Sequence, residues 1–323
     1  MKTYKNLFDK VINLDNFIQA AEAASSGKKR RAKYLEFKTD LATNLDALIE
    51  ELKNGTYQVT PYNKFTVTDR LKPRVIYAPA FRDVVVQQAI YRVIGPIFDR
   101  KFIDQTYACR YRKGTHKASE YAQKALRASS TDNYTLKMDI RKFFYSIDRG
   151  ILRKQISNVI KDRRLLDLLF QFTDFEDSEK GIPIGNLLSQ LFAQIYMNGL
   201  DHYIKRVLKV KLYCRYVDDF ILFDLTKQRA IDCRKLIEEY AMGQLGLRMS
   251  KVSIGKIKHG VNFVGYRTWA SHRLVRKYIM KSFREAIKVG NQPAIQSYLG
   301  HAQDTASLDS LVRALHKSQS AQP

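Results

Sequence analysis

Acidic residues are scarce in this chain. Its 323 residues hold 32 Asp and Glu against 56 Lys and Arg, a formal charge of +24. A surplus that large points to a polyanionic partner, either nucleic acid or an acidic membrane face. Long apolar runs are missing too. No stretch reaches the ~18 uncharged apolar residues that a membrane span needs, which leaves nucleic acid as the leading partner. The opening "MKTYKNLFDKVINLDNF" alternates charge with apolar residues and reads as an amphipathic helix, not a signal peptide. Cysteine is sparse: Cys109, Cys214 and Cys233 form no C-x-x-C pair, and no two histidines sit at ligand spacing. A structural zinc is therefore not expected, and unpaired thiols fit a reducing cytoplasm. There is no internal repeat and no low-complexity linker. With 45% apolar residues, the chain has enough material for two or three globular subdomains.

The first stretch, to about Lys53, has helical character, broken by the basic segment "SSGKKRRAK" at Ser25 to Lys33. Around "GKKRRAK", a loop contacting RNA or DNA and a plain solvated loop are both open. From Tyr57, "YQVTPYNKFTVTDRLKPRVIYAP" is rich in β-branched and aromatic residues, with breaks at Pro61, Asp69 and Pro73, and predicts strands and hairpins. "RDVVVQQAIYRVIGPIF" has helical spacing and is expected to stop near Gly95-Pro96. In "NYTLKMDIRKFFYSID", Leu136, Met138 and Ile140 alternate with Thr135, Lys137 and Asp139, the period of a strand. "GIPIGNLLSQLFAQIYMNGLD" begins like a phosphate-site loop and ends like a buried helix carrying Leu188, Leu191, Phe192, Ile195 and Leu200. The tail from His272 reads as helical and basic. Strands and helices mix without a βαβ rhythm, which predicts an α+β fold.

Two aspartates interrupt the apolar runs of "YCRYVDDFILF". A hairpin would carry Asp218 and Asp219 at its tip, although Asp is also common in ordinary turns. Asp139, at the end of the earlier strand, changes the balance. If that strand pairs with the hairpin, Asp139 faces Asp218. Two or three carboxylates from neighbouring strands make an all-oxygen site suited to Mg²⁺. Paired metals about 3.5–4 Å apart can clamp an in-line phosphoryl transfer.

With these segments in hand, the chain resembles the reverse transcriptases over most of its length. "YVDD" and "DIRKFFYSI" are similar to the two catalytic-aspartate motifs of that family. "KPRVIYAPAFRDVVVQQAIYRVIGPIFD" and "TYACRYRKGTHKA" resemble fingers segments of the group II intron branch. "VNFVGYRTW" resembles the primer-grip hairpin, and "SYLGHAQDTAS" part of the thumb. The resemblance implies a right-hand polymerase fold, with an antiparallel palm sheet carrying the catalytic aspartates. It divides the chain into an N-terminal helical extension (1–55), fingers (56–130), palm (131–267) and thumb (268–323). It implies that Asp139, Asp218 and Asp219 bind two Mg²⁺ ions, with Mn²⁺ the alternative, and that the Ile140 carbonyl completes one metal shell. Lys72 and Arg74 match the fingers cations that hold the triphosphate, while Arg110 and Arg82 match either template contacts or braces of the fingers, with Arg110 counted among the nucleotide-binding residues. Phe144, five residues after Asp139, matches the bulky gate beneath the incoming sugar. Ile184, Gly185 and Gln190 would border the nascent base pair.

Departures from the family pattern narrow the expectation. Most members have glutamine before the glycine where this chain has Ile184-Gly185, and the pattern through Ser189-Gln190 is similar to diversity-generating retroelements. That likeness implies error-prone copying of a template-repeat RNA at adenines for mutagenic retrohoming. It also implies primer and cDNA as substrates with dNTPs, a small basic helical accessory protein that forms a pentamer, and a cytoplasmic setting in a bacterium or phage-infected cell. No appended RNase H, integrase or endonuclease domain is expected. A retron, defence or intron enzyme, or an inactive RNA-binding maturase-like scaffold, are the alternatives. In "LGLRMSKVSIGKI", Ser253 stands where the intron branch carries lysine, with Lys251 and Lys256 nearby, so no general acid is assigned. In "HRLVRKYIMKSFREAIK", Leu274, Tyr278, Phe283 and Ile287 predict an apolar face. Arg276, Lys277, Lys281 and Arg284, with Arg273 and Lys288, are expected to track a nucleic-acid backbone.

Overall fold

The computed structural model describes residues 2–27, 32–69, 72–174, 176 and 178–319. The basic run at 28–31 therefore lies outside the described residues. The chain forms two compact units. The first comprises Met1–Ile103, Lys142–Gly199 and Gly243–Leu247, and the second Asp104–Arg141, Leu200–Met242 and Arg248–Pro323.

In the first unit, apolar spacing in the N-terminal stretch yields the helices Phe8–Val11, Leu14–Ser25, Ala32–Thr39 and Leu41–Lys53. Asn13 caps the second of these by accepting from the Asn16 amide at 3.4 Å. That helix packs on Phe81–Asp99, where Val85, Val86, Ala89, Ile90 and Ile94 are fully buried. The Phe81–Asp99 helix does not stop at Gly95-Pro96 as expected. A proline within a helix removes one hydrogen bond, but buried Ile97 and Phe98 hold the last turn in place. Ahead of this helix, β1 (Asn63–Asp69) and β2 (Lys72–Ala78) form an antiparallel hairpin. Pro73 lies inside β2 opposite Thr68 instead of breaking it. In a two-stranded hairpin its missing amide can face outward.

The second unit holds an antiparallel sheet in the order β4-β5-β3-β6. Its strands are β3 (Tyr134–Ile140), β4 (Tyr213–Tyr216), β5 (Asp219–Leu225) and β6 (Met249–Lys256). Helix Thr115–Arg127 lays Ala118, Ala122 and Leu126 against Cys214, Ile221 and Phe223 on one face of the sheet. A second sheet follows, with β7 (Val261–Phe263), β8 (Tyr266–Thr268) and β9 (Arg273–Val275). The expected all-helical tail thus begins with a strand, because Leu274 and Val275 extend the β7–β8 hairpin. Helices Lys277–Lys288, Gln292–Ala302 and Leu308–Gln319 then close around a core that includes Ile279, Phe283, Ile295 and Leu311. The mixture of helices with antiparallel strands is the expected α+β class.

Candidate active site

Three aspartates gather at one end of the larger sheet. β4 and β5 are joined by the two-residue turn Val217-Asp218, so Asp219 is already the first residue of β5. The ladder pairs Asp139 with Asp219, which corrects the expected pairing with Asp218. Asp218 instead accepts the Ile140 amide on its backbone oxygen at 3.3 Å. Directly opposed residues of an antiparallel pair lie on one face, so Asp139 and Asp219 stand side by side.

Their neighbours treat them differently. The Ser250 hydroxyl donates to Asp139 Oδ1, and to the Asp139 carbonyl at 3.2 Å. Lys137 donates to Asp219 Oδ2 at 2.7 Å. Asp219 Oδ1 is buried and, among the described residues, accepts no hydrogen bond. Burial pushes the Asp219 carboxyl up, Lys137 pulls it partly back, Asp139 pushes it up again and Arg276 pulls it down. The balance leaves it at about 6. A buried carboxylate oxygen without a donor suits a cation, and an all-oxygen donor set suits a hard divalent one. Among the described residues, no three His, Cys, Asp or Glu side chains already converge as a ligand set. Asp139 and Asp219 are the two that lie opposite each other, with Asp218 beside them in the turn.

The turn itself is strained. Val217 has φ +57°, a region β-branched residues avoid at a cost of about 1–3 kcal/mol. Arg215 holds it from the other face of the sheet, donating from Nη1 to the Val217 carbonyl at 2.8 Å. Arg215 also grips Asp201 through Nε–Oδ1 at 2.8 Å and Nη2–Oδ2 at 2.6 Å, and Tyr213 donates to Asp201 Oδ1 at 2.7 Å. Both charged side chains are 0% exposed. Burial alone would pull the guanidinium down, but Asp201 more than restores it. Sequence reading missed this support. Its one signal is the arginine inside the apolar run "YCRYV".

The remaining predicted residues fall into both units. In the first, Phe144 lies in the short helix Phe143–Ser146, half-buried, and its carbonyl accepts from Ile182 at 2.9 Å. The Ile182–Asn186 loop is in turn stitched to β2, where the Tyr77 amide donates to the Ile184 carbonyl at 2.8 Å. Asn186 donates to the Tyr77 carbonyl at 3.1 Å and accepts from Gln87 at 2.8 Å. Gly185 has φ +109°, and a Cβ there would stand 2.9 Å from Ile76 Cγ2, so the close approach that requires glycine is to β2. Gln190 is exposed on helix Leu187–His202, while Leu188, Leu191, Phe192, Ile195 and Leu200 are buried as expected. Arg74 is exposed on β2 opposite Val67. Lys72 is the first residue of β2, but its side chain lies outside the described residues. Arg82 pairs with Glu51 and covers the Tyr57 ring at 5.4 Å.

In the second unit, Arg110 donates to Thr106 Oγ1 at 2.8 Å. Lys277, Lys281 and Arg284 are exposed on a helix that buries Ile279, Phe283 and Ala286. Arg276 caps that helix, and its amide bonds the Gly265 carbonyl at 3.2 Å. Its charge reaches Asp219.

An antiparallel sheet with an Asp-Asp turn paired to a strand-borne aspartate defines a polymerase palm. Residues 64–268 match the family model described as reverse transcriptase (RNA-dependent DNA polymerase). The chain belongs to that family, and its activity is RNA-directed DNA synthesis, in a family that works with divalent metal ions. Protein YkfC of Escherichia coli K12 is 26% identical over 288 residues, covering 73% of this chain and 72% of that protein. The group II intron-encoded protein LtrA of Lactococcus lactis is 26% identical over 174 residues, 51% of this chain and 28% of LtrA. In fold, the chain is similar to a Candida albicans telomerase solved in complex with the TWJ fragment of telomeric RNA. The TM-score is 0.54 at 12% identity, over 81% of this chain and 56% of that one.

Proposed function

We propose that this chain extends a primer on an RNA template using two divalent ions, Mg²⁺ with Mn²⁺ as the alternative, held by Asp139, Asp218, Asp219 and the Ile140 carbonyl. Bound there, the ions would activate the primer's 3′-hydroxyl as a nucleophile and neutralise the charge of the departing pyrophosphate. The observation that carries this reading is the pairing of Asp139 with Asp219, whose Oδ1 is buried and partnerless. Lys72, Arg74 and Arg110 contribute fixed positive charge toward a triphosphate. Phe144 serves as the sugar gate, a reading that rests on its five-residue offset from Asp139. Arg276, Lys277, Lys281 and Arg284 hold phosphates, which makes affinity steeply salt-dependent. The working segments are an N-terminal extension (1–55), fingers (56–130), palm (131–267) and thumb (268–323). In a primer-extension assay with RNA template, dNTPs and Mg²⁺, Asp218→Ala abolishes synthesis. Equal extension by that variant would favour the inactive scaffold.

The finer reading is a diversity-generating retroelement enzyme acting in the cytoplasm with a small basic pentameric accessory protein. It rests on Ile184. The glutamine usual at this place offers hydrogen bonds near the nascent pair, whereas Ile184 offers shape alone, so a poor pair loses less relative to a good one. Gly185 and Gln190 border the same position. Replacing Ile184 with Gln lowers misincorporation opposite template adenine, as read by sequencing the cDNA. An unchanged error spectrum removes Ile184 from the account. The likeness to LtrA favours a second reading, an intron-branch enzyme that copies adenines accurately, and the same sequencing of wild-type product separates the two.

A further inference from the structure

Lys137 stands two residues before Asp139 on β3, so the pleat places both side chains on one face of the sheet. Its ammonium lies 5.6 Å from the centroid of the Phe263 ring. From there it donates in two directions, to Asp219 Oδ2 at 2.7 Å and to the Asn262 carbonyl at 2.6 Å. Lysine and aspartate side chains are 26% and 23% exposed, so water only partly competes for the pair. Surface lysines normally keep their ammonium in water and bury only the stem. Here the ammonium is drawn inward and spent on protein oxygens. The polymerase chemistry described above assigns this residue no task.

Asn262 belongs to β7, the first strand of the hairpin that resembles a primer grip. Asp219 opens β5. Lys137 therefore joins the backbone of the one to the carboxylate of the other. It fixes Oδ2 and leaves the buried Oδ1 without a donor among the described residues.

We propose that Lys137 is a positioning residue that couples the β7–β8 hairpin to the metal-binding carboxylate of Asp219. The proposal rests on the polymerase reading. In the metal-free protein the ammonium serves as internal counter-cation to Asp219. A divalent ion arriving at Oδ1 meets a carboxylate that is already oriented but partly neutralised. Lys137 thus weakens metal binding and improves the geometry of the bound state. Its removal moves the two quantities in opposite senses, with tighter metal binding and slower turnover. A lysine that merely supported the fold would produce no such split.

The test uses Lys137→Met, which keeps the stem and drops the charge, with Lys137→Arg as the conservative variant. Mg²⁺ is titrated against thermal unfolding of the full chain without nucleic acid. Removing a like charge beside the ion lowers the half-maximal Mg²⁺ concentration of the Met variant by roughly tenfold. Primer extension at saturating Mg²⁺ shows a kcat lower by roughly tenfold to a hundredfold, the scale of a small misplacement at the reacting centre. Amides of Val261–Thr268 exchange faster with solvent, because the Asn262 carbonyl has lost its donor. Lys137→Arg, which keeps charge and donors, holds the Mg²⁺ midpoint within about twofold of wild type. If the Met variant does not fold, Lys137→Gln carries the same midpoint criterion. An unchanged or higher midpoint in the neutral variant, or an unchanged kcat, overturns the coupling. Failure of the wild type to extend any primer, with the midpoint shift intact, instead overturns the polymerase reading and leaves the Asp219 contact standing.

Discussion

Asp201 and Asp219 serve opposite faces of one sheet, and each meets a cation, yet their surroundings differ. Asp201 is 0% exposed and has both oxygens taken, by a two-pronged Arg215 and by Tyr213. Asp219 is 23% exposed, gives one oxygen to Lys137 and, among the described residues, has no donor for the other. A fully satisfied buried pair fixes structure, because every donor and acceptor is already committed. An incompletely satisfied one holds back an interaction for a ligand. The two carboxylates differ in the same way in their cations. Arginine's planar fork matches a carboxylate at two points, while a lysine ammonium is a single mobile charge.

Breaking the closed pair has the larger effect on stability. Arg215→Met leaves Asp201 buried without its guanidinium and releases the strained Val217 carbonyl. The expected loss is about 3–5 kcal/mol, measured by denaturant unfolding. Changing both partners to apolar residues should cost much less, since no charge is then stranded.

Breaking the open pair acts in the reverse sense. The Asp219 carboxyl sits at about 6 in the folded protein against an ordinary 3.8. Below 3.8 it is neutral in both states, and its contribution to stability is fully present. As pH rises through the folded value, the unfolded chain has already ionised and that contribution is lost. Without metal at neutral pH, the ionised Asp219 therefore costs about 2–3 kcal/mol. Asp219→Asn should raise stability by about that amount at pH 7.5 in chelator, lose the advantage in acid, and abolish primer extension. A variant less stable than wild type at pH 7.5 would mean that the Lys137 pair outweighs the burial of the charge.

The contrast also explains what was legible beforehand. Asp139 could be read because Leu136, Met138 and Ile140 alternate around it, and the Asp-Asp turn because it splits two apolar runs. The pairing was one residue off. The turn took Val217 and Asp218, and an apolar residue at positive φ is not a turn signal in any sequence. Lys137 looked like the solvent side of an alternating strand, and its partners Asp219 and Asn262 are 82 and 125 residues away. Asp201 closes a stretch with the apolar rhythm of a buried helix, and nothing local announces its partner on β4. The extra turn of helix past Gly95-Pro96 was hidden for the same reason: burial of Ile97 and Phe98 overrode local preference.

The Ile184 loop supplies a neutral version of the closed pair, and with it the smallest effect. Gln87 is 1% exposed, donates to Asn186 at 2.8 Å and accepts the Leu188 amide at 3.3 Å. Gln87→Leu keeps much of the volume and strands both partners. The cost is about 1–3 kcal/mol, the penalty of unsatisfied neutral groups, and lies below that of Arg215→Met because no charge is left behind. No metal ligand is touched and no net charge changes, so the half-maximal Mg²⁺ concentration should stay at the wild-type value while the unfolding midpoint falls. If that concentration moved with Gln87→Leu, the closed and open sites would not be independent, and the division between a structural and a functional carboxylate would have to be redrawn.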